Sequence, residues 1–516
     1  MNPAKLHMGS PLDIVICILP KIQPESPTVG PAVLKSHCEA AGFTATLRDL
    51  NIDLFESLGP ENSHYWFESD DVFANDDLWE EFYTTLCSPI FDRWVRELLA
   101  LKAQWIGLSV FSNRSARVAV KLITLLKLQD PAQQIVVGGA GTLDWHQSWA
   151  EVGADHWITG DGEHSLVALL RGNTDHAGID GWRNAQIDDL DSLLYPNYDD
   201  IDFSRYHLHD PQYPKAYITG SRGCVRRCTF CDIASIWPNY RFRSGHNIAG
   251  ELLMLRKKYG ICDFEFTDSL VNGSLKAFRD MCSALADYRV ATGDTNWDWS
   301  SQFICRSEQQ MPADDYQLLK QSGCSLLSIG IESASYAVRK HMQKGFTDRD
   351  MWHTFDQCKK NDIRLSLMML VGYPTETRSD FEKTLQFIKD LSTQGYFERL
   401  PNGRGRYISN FSFGPTMEIY HGTPIAGMRH ELGIMDDADG NWTFGPANNI
   451  RVRIVRLLQA YATLESQGFG NDWWMAKRRN TNLKKRYTKI TGRTLPDDIL
   501  NYEESLEYDG SNHQTD

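Results

Sequence analysis

The sequence predicts an α/β protein with a doubly wound, mostly parallel sheet, then a partial (β/α)6 barrel, then a small C-terminal region. Three observations predict it. Short apolar runs alternate with amphipathic helix patterns over residues 13–180. About six further strand–helix units follow over residues 213–415. At 516 residues the chain exceeds what one hydrophobic core ordinarily holds. The expected division is 13–180 for the sheet domain, 181–212 for a linker, 213–415 for the barrel and 416–516 for the remainder.

In the first part, "IVICIL" before Pro20 reads as a strand buried on both faces. The helix pattern "AVLKSHCEAAG" ends at Gly42, and "FTATLRDL" reads as the next strand. An acidic, aromatic insertion at about 60–88 reads as irregular. "WIGLSVF" is another buried strand, and Val118, Leu122, Leu125 and Leu126 then recur at helical spacing. "QIVVGGAGT" is a strand entering a Gly-rich turn, and "ADHWITGDGEHSLVALL" is a strand, a Gly turn and a helix.

The linker, rich in Asp, Tyr and Pro, reads as turns. In the barrel part the strands are read in "KAYITGSRGC", a short strand entering the cysteine loop, and in "CDFEFTDS", "WDWSSQFICR", "CSLLSIGIES", "IRLSLMMLVGYP" and "RYISNFSFGP". A long helical region is expected around 336–361. A closed eight-fold barrel ordinarily needs about 250 residues, so roughly 200 suit six units. The C-terminal part is less regular. It carries a basic stretch with Lys477, Arg478, Arg479, Lys484, Lys485 and Arg486 beside Trp473 and Trp474, which reads first as a solvated helix face and otherwise as a site for a phosphorylated substrate or a reductase.

Apolar residues make up 42% and charged residues 23%, as in soluble globular proteins. The net charge of −14 argues against broad nucleic-acid binding. No run is long enough to span a bilayer, and the start lacks a signal-peptide pattern, so a cytoplasmic protein is expected. Eight of the eleven cysteines are scattered singly and read as small buried apolar residues.

The other three are grouped. Cys224, Cys228 and Cys231 fall in "GCVRRCTFC", and no second pair follows as a zinc knuckle would require. Three thiolates on one loop can hold three irons of a four-iron cluster and leave the fourth open for chemistry. The C-x₃-C-x₂-C spacing, with Phe230 before the last Cys, resembles the signature of the radical S-adenosylmethionine (radical SAM) superfamily. The barrel strand ends, including "GIES" and "GYPTET", are similar to recurrent segments of that family. The resemblance implies a 4Fe-4S cluster whose open iron chelates SAM, and reductive cleavage of SAM to a 5′-deoxyadenosyl radical. It implies SAM contacts from Phe230, Asp268, Ser301, Arg306, Gly330, Glu332, Gly372 and Pro374. Asp268 would meet the amino group, and Arg306 would clamp the carboxylate, which a guanidinium suits. The strand-four end would approach the ribose or amino group, and the strand-five end would approach the adenine through backbone atoms.

The segment order of the first part, continuing through "LLYPNYDDID" to "YHGTPI", resembles the Rossmann-like cobalamin-binding domain of cobalamin-dependent radical SAM enzymes. It implies that Ser109, Ser112, Asn113, Gly138, Gly139, Thr142, Gly160 and Gly162 line cobalamin. The loop after the first strand lacks the His of a D-x-H-x-x-G motif, and "DWHQSW" at Asp144 follows a later strand. The most frequent reaction of that class is methyl transfer to an unactivated carbon. Radical cyclisation, rearrangement or oxidation is the second reading, and a cobalamin or redox sensor the third. The scattered remaining cysteines offer no second cluster for methylthiolation. The substrate, small molecule or peptide, is not named by the sequence. A flavodoxin or ferredoxin is the implied electron donor.

Overall fold

The computed structural model describes residues 12–67, 71–142, 148–181, 185–206, 213–414, 416–437, 440–469, 473–496 and 498–502. The chain divides into two units, Met1–Thr219 with Arg241–Glu265, and Gly220–Tyr240 with Phe266–Asp516.

The first unit is built on a five-stranded parallel sheet. Its strands are β1 (Ile14–Ile18), β2 (Ala45–Asp49), β3 (Trp105–Ser109), β4 (Gln134–Gly138) and β5 (His156–Ile158), in the order β2-β1-β3-β4-β5. Every residue of β1 is buried, as expected of a central strand covered on both faces. This is a doubly wound order whose switch point lies between β1 and β3, where such sheets open a crevice at their carboxyl ends. Helix Asn113–Gln129 buries Val118, Leu122 and Leu126 at helical spacing.

The insertion is helical rather than irregular. Short helices run His64–Phe67, Asp71–Ala74 and Asp76–Phe82, a π-helical turn covers Tyr83–Cys87, and Ser88–Ala100 follows. Aromatic packing supplies the reason. Trp66, Phe73, Trp79, Phe82 and Phe91 are buried against the sheet's own core residues, and that contact stabilises helices too short to stand alone.

The second sheet has six strands, β6 (Lys215–Ile218), β7 (Asp263–Phe266), β8 (Asp298–Phe303), β9 (Cys324–Glu332), β10 (Arg364–Met369) and β11 (Ile408–Phe413), hydrogen-bonded in chain order. Strands β8 to β11 pair in parallel. Helices intervene at each step, as a partial barrel requires. The expected long helix around 336–361 is broken. Helix Tyr336–His341 stops, Gln343 and Gly345 take positive φ, and Asp348–Lys360 restarts behind a Thr347–Asp350 capping box. After the barrel come helix Ile450–Ser466, a two-stranded ribbon (Met435–Asp436 with Trp442–Thr443) and helix Trp473–Thr491. The eight scattered cysteines are all buried. No helix among the described residues is long and apolar enough to cross a membrane.

Candidate active site on the cysteine loop

The loop carrying Cys224, Cys228 and Cys231 lies within the second unit. Its start is fastened by Asp268, just past β7. The Asp268 carboxylate accepts the Gly220 N–H at 2.8 Å and the Ser221 hydroxyl at its other oxygen. Inside the loop, the Arg226 N–H approaches the Cys224 sulfur at 3.4 Å, and the Cys231 N–H donates to the Cys228 carbonyl at 3.2 Å. The far side hangs on Thr229. Its N–H donates to the Met342 carbonyl at 3.1 Å, its carbonyl accepts the Ile425 N–H at 2.8 Å, and its hydroxyl meets the Tyr373 hydroxyl at 2.8 Å. Phe230 packs against a cluster of Val338, Met342, Tyr373, Met417, Ile425 and Trp442. The "YHGTPI" segment after the barrel therefore serves as a brace for the cysteine loop.

Both cations and carboxylates face the loop. Burial pushes the Cys228 thiol up to about 11, although the Lys344 ammonium opposes it, and burial also raises Cys231. A metal that displaces those protons is bound more tightly as pH rises. Lys344 loses solvation, but the Glu332 carboxylate 3.1 Å away and Cys228 outweigh that loss and raise it. Its Nζ sits 5.9 Å from the Phe230 ring centre. Arg306 is lowered by burial and by its neighbour Arg226, and the Nε atoms of both are buried without a hydrogen-bond partner.

The structure brings several expected residues to this loop. Glu332 ends β9 with φ +64°, a left-handed conformation rare outside glycine. A Cβ on Gly330 would collide with the Glu332 carboxylate and lie 3.1 Å from Lys344 Nζ, so this glycine makes room for the pair. Arg306 donates to the Asn272 and Gly273 carbonyls at 2.9 and 3.3 Å. Asp268 is engaged with the loop's own backbone. Ser301 is buried and donates to the Gln302 carbonyl. The strand-five end is turned toward the C-terminal region. Asn448 donates to the carbonyls of Gly372, Tyr373 and Pro374, and a Cβ on Gly372 would strike Arg453. Glu376 accepts the Gly372 N–H and pairs with Arg456 at 3.1 Å.

Sequence reading missed Lys344, Arg226, Thr229 and Tyr373. Gly345 was the available signal for Lys344, because a helix breaker there turns the preceding residue out of register. Among the described residues, no three His, Cys, Asp or Glu side chains converge at single-ion spacing. Three soft thiols on a braced loop, faced by cations that offset thiolate charge, do fit a cluster.

In the first unit, the residues expected to line cobalamin sit at the carboxyl edge of β3, β4 and β5. Ser109 and Ser112 are half-buried and Asn113 is exposed. Phe111, between them, is 61% exposed. A Cβ on Gly139 would collide with the Val110 carbonyl, and one on Gly141 with the Ser112 backbone, so these glycines let the chain's own two loops close. Thr142 donates to the Gly139 carbonyl within that closure. Gly160 and Gly162 flank Asp161, which is buried and pairs with Arg241 and the Ile187 N–H. Asp144 and the rest of "DWHQ" lie outside the described residues. Residues Ser109–Asn113 themselves carry no charge, offering hydroxyls, an amide and an open ring, a chemistry that fits a corrin's apolar faces and amide rim, with the half-buried Arg114 beside them.

Residues 218–388 match the model of the radical SAM superfamily, and the cysteine loop lies inside that segment. The barrel portion of this chain is a radical SAM domain, a class that implies a 4Fe-4S cluster and SAM. The chain is 28% identical over 206 residues, 40% of its length, to an uncharacterized methyltransferase PH0819 of Pyrococcus horikoshii, covering 43% of that protein. It spans about half the length of the curated relatives it matches. Its fold is similar to that of TsrM, a radical SAM methyltransferase from Kitasatospora setae (TM-score 0.62, 16% identity, 89% of each chain). It is also similar to that of OxsB, a cobalamin-dependent SAM radical enzyme (TM-score 0.63, 14% identity, 87% of this chain and 66% of that one).

Proposed function

We propose that the protein is a radical SAM enzyme that also binds cobalamin and transfers a methyl group to an unactivated carbon of its substrate. The observation that carries the reading is the braced loop of three thiols facing Lys344, Glu332 and Arg306. When bound, the cluster supplies the electron that splits SAM into methionine and a 5′-deoxyadenosyl radical, and cobalamin supplies the methyl group.

The chain's own residues bind and position. Cys224, Cys228 and Cys231 would hold the cluster. Glu332, held by Lys344, accepts hydrogen bonds from the SAM amino group or ribose. Arg306, already desolvated, offers its guanidinium to the SAM carboxylate. Phe230 gives an apolar wall beside the adenine. Asp268, Thr229 and Tyr373 act on the loop and keep the thiols in place. On the first unit, Ser109, Ser112, Asn113 and Thr142 would meet the corrin rim. The likeness of the whole fold to TsrM and OxsB supports the cobalamin part of the reading.

The test is anaerobic reconstitution with iron, sulfide and hydroxocobalamin, followed by SAM and dithionite. A bound corrin absorption band and formation of 5′-deoxyadenosine are expected, with S-adenosylhomocysteine alongside once substrate is supplied. A chain with all three cysteines changed to Ala should form no 5′-deoxyadenosine. If cleavage persists, the reading fails.

A further inference from the structure

Arg226 stands inside the cysteine loop, between Cys224 and Cys228. Its side chain is half-buried, and its Nε is buried without a hydrogen-bond partner. Among the described residues no carboxylate pairs with its guanidinium and no acceptor takes its side-chain N–H groups. A cation that has lost part of its water and gained no partner in exchange is costly to hold. Such a group implies an anion that the polypeptide itself does not supply.

The geometry fixes where that charge sits. At one end, the Arg226 backbone N–H faces the Cys224 sulfur at 3.4 Å. At the other, the guanidinium lies where a Gly345 side chain would be, so a Cβ at Gly345 would strike it. Gly345 also takes φ +68°, a conformation that favours glycine. The turn after helix Tyr336–His341 therefore closes directly on the guanidinium and holds it against the loop.

The other charges near the thiols are compensated or screened. Lys344 is paired with Glu332 at 3.1 Å. Arg227 and Asp232 are exposed, where water weakens their fields. Arg306 donates to the Asn272 and Gly273 carbonyls and, in the proposed function, meets the SAM carboxylate. Arg226 alone of these keeps a poorly screened charge with no counter-charge once SAM is bound.

We propose that Arg226 is the counter-charge of the cluster: its guanidinium favours the reduced over the oxidised state and so raises the midpoint potential. The proposal rests on the radical SAM reading. In the step concerned, one electron from a low-potential donor such as dithionite enters the cluster, and no bond forms or breaks. The cluster and its thiolates become one charge more negative, and a fixed cation stabilises that state more than the oxidised one. Potentials of such clusters follow net charge and solvent exposure in this way.

The experiment uses the full chain, reconstituted anaerobically with iron and sulfide and then desalted. Reductive titration with dithionite is followed by the electron paramagnetic resonance of the reduced cluster. At the wild-type midpoint, Arg226→Gln should hold about tenfold less reduced relative to oxidised cluster, a downward shift of about 59 mV for one electron. Arg226→Lys should recover most of the shift, and Arg227→Gln should scarcely move the midpoint. Iron per chain should equal that of the wild type in all three. SAM affinity, read by calorimetry, should hold in Arg226→Gln and fall in Arg306→Gln. An unchanged midpoint in Arg226→Gln overturns the proposal, and so does an equal shift in Arg227→Gln. Loss of iron from Arg226→Gln overturns it as well, since Arg226 would then hold the loop. Loss of SAM affinity there overturns it too, since the SAM carboxylate would be its anion. If the wild type shows no four-iron signal at all, the radical SAM reading fails and takes this proposal with it.

Discussion

Lys344 Nζ lies 3.1 Å from Glu332 Oε1, and the two side chains are only 13% and 15% exposed. The pair joins the end of β9 to the turn that breaks the following helix. It forms only because Gly330 lacks a Cβ and because Glu332 adopts φ +64° where β9 slips register against β10. A left-handed glutamate costs about 1–2 kcal/mol, which the ion pair offsets. Lys344→Met leaves the Glu332 carboxylate without its partner and should destabilise the chain by about 3 kcal/mol in urea unfolding. SAM affinity, read by calorimetry on reconstituted protein, should fall about tenfold, and Lys344→Arg should recover part of it. Unchanged SAM affinity in Lys344→Met would separate the pair from the site.

Asp268 gives a second test. Its carboxylate accepts from Gly220 and Ser221 at the entrance to the cysteine loop. Asp268→Asn turns a charged acceptor into a neutral one and should cost about 2 kcal/mol. The sharper readout is iron retained after reconstitution and desalting, which should drop while the circular dichroism spectrum holds. Full iron loading would show that the loop holds its thiols in place without the Asp268 charge.

Much of this was legible in the sequence because both halves repeat a simple pattern. The central strands "IVICIL" and "WIGLSVF" announced themselves as apolar runs, the other strands followed from the strand–helix alternation, and the cysteine spacing located the loop. What was not legible depends on contacts distant in sequence. The aromatic insertion gave no helical period, since Trp66, Phe73 and Trp79 become helical by packing together. The glycines of "GGAG" looked open to a ligand, yet Gly139 and Gly141 close on Val110 and Ser112 some thirty residues away. Pro374 and Gly372 looked like site residues, but Asn448 and Arg453 claim them from beyond the barrel.

Two glycines in the first unit separate backbone strain from collision. Gly139 has φ +111° and a Cβ there would strike the Val110 carbonyl, whereas Gly172 has φ +79° with nothing within 4 Å. Gly172→Ala should cost about 1 kcal/mol, the conformational term alone. Gly139→Ala adds a clash with rigid backbone and should cost about 3 kcal/mol or more. If cobalamin binds at this edge, only Gly139→Ala should also lose the bound corrin band. Equal costs in urea unfolding would show that the two loops yield.

Glu376 makes stability depend on pH. Burial pushes its carboxyl from an ordinary 4.5 up to about 7, against the opposing pull of Arg456 at 3.1 Å and the Gly372 N–H at 2.9 Å. Arg456 is lowered in turn, again by burial first. Loss of solvation thus exceeds attraction on both partners, as is common for buried pairs. The folded chain holds the Glu376 proton more tightly than the unfolded chain does. Its contribution to stability is therefore full below about pH 4.5 and is lost as pH rises through about 7. Between pH 5 and pH 8 the wild type should lose about 2–3 kcal/mol relative to Glu376→Gln, whose amide does not titrate. The check is urea unfolding of both proteins across that range. A constant difference between them would mean that Glu376 stays ionised beside Arg456 throughout, with attraction stronger than the cost of burial.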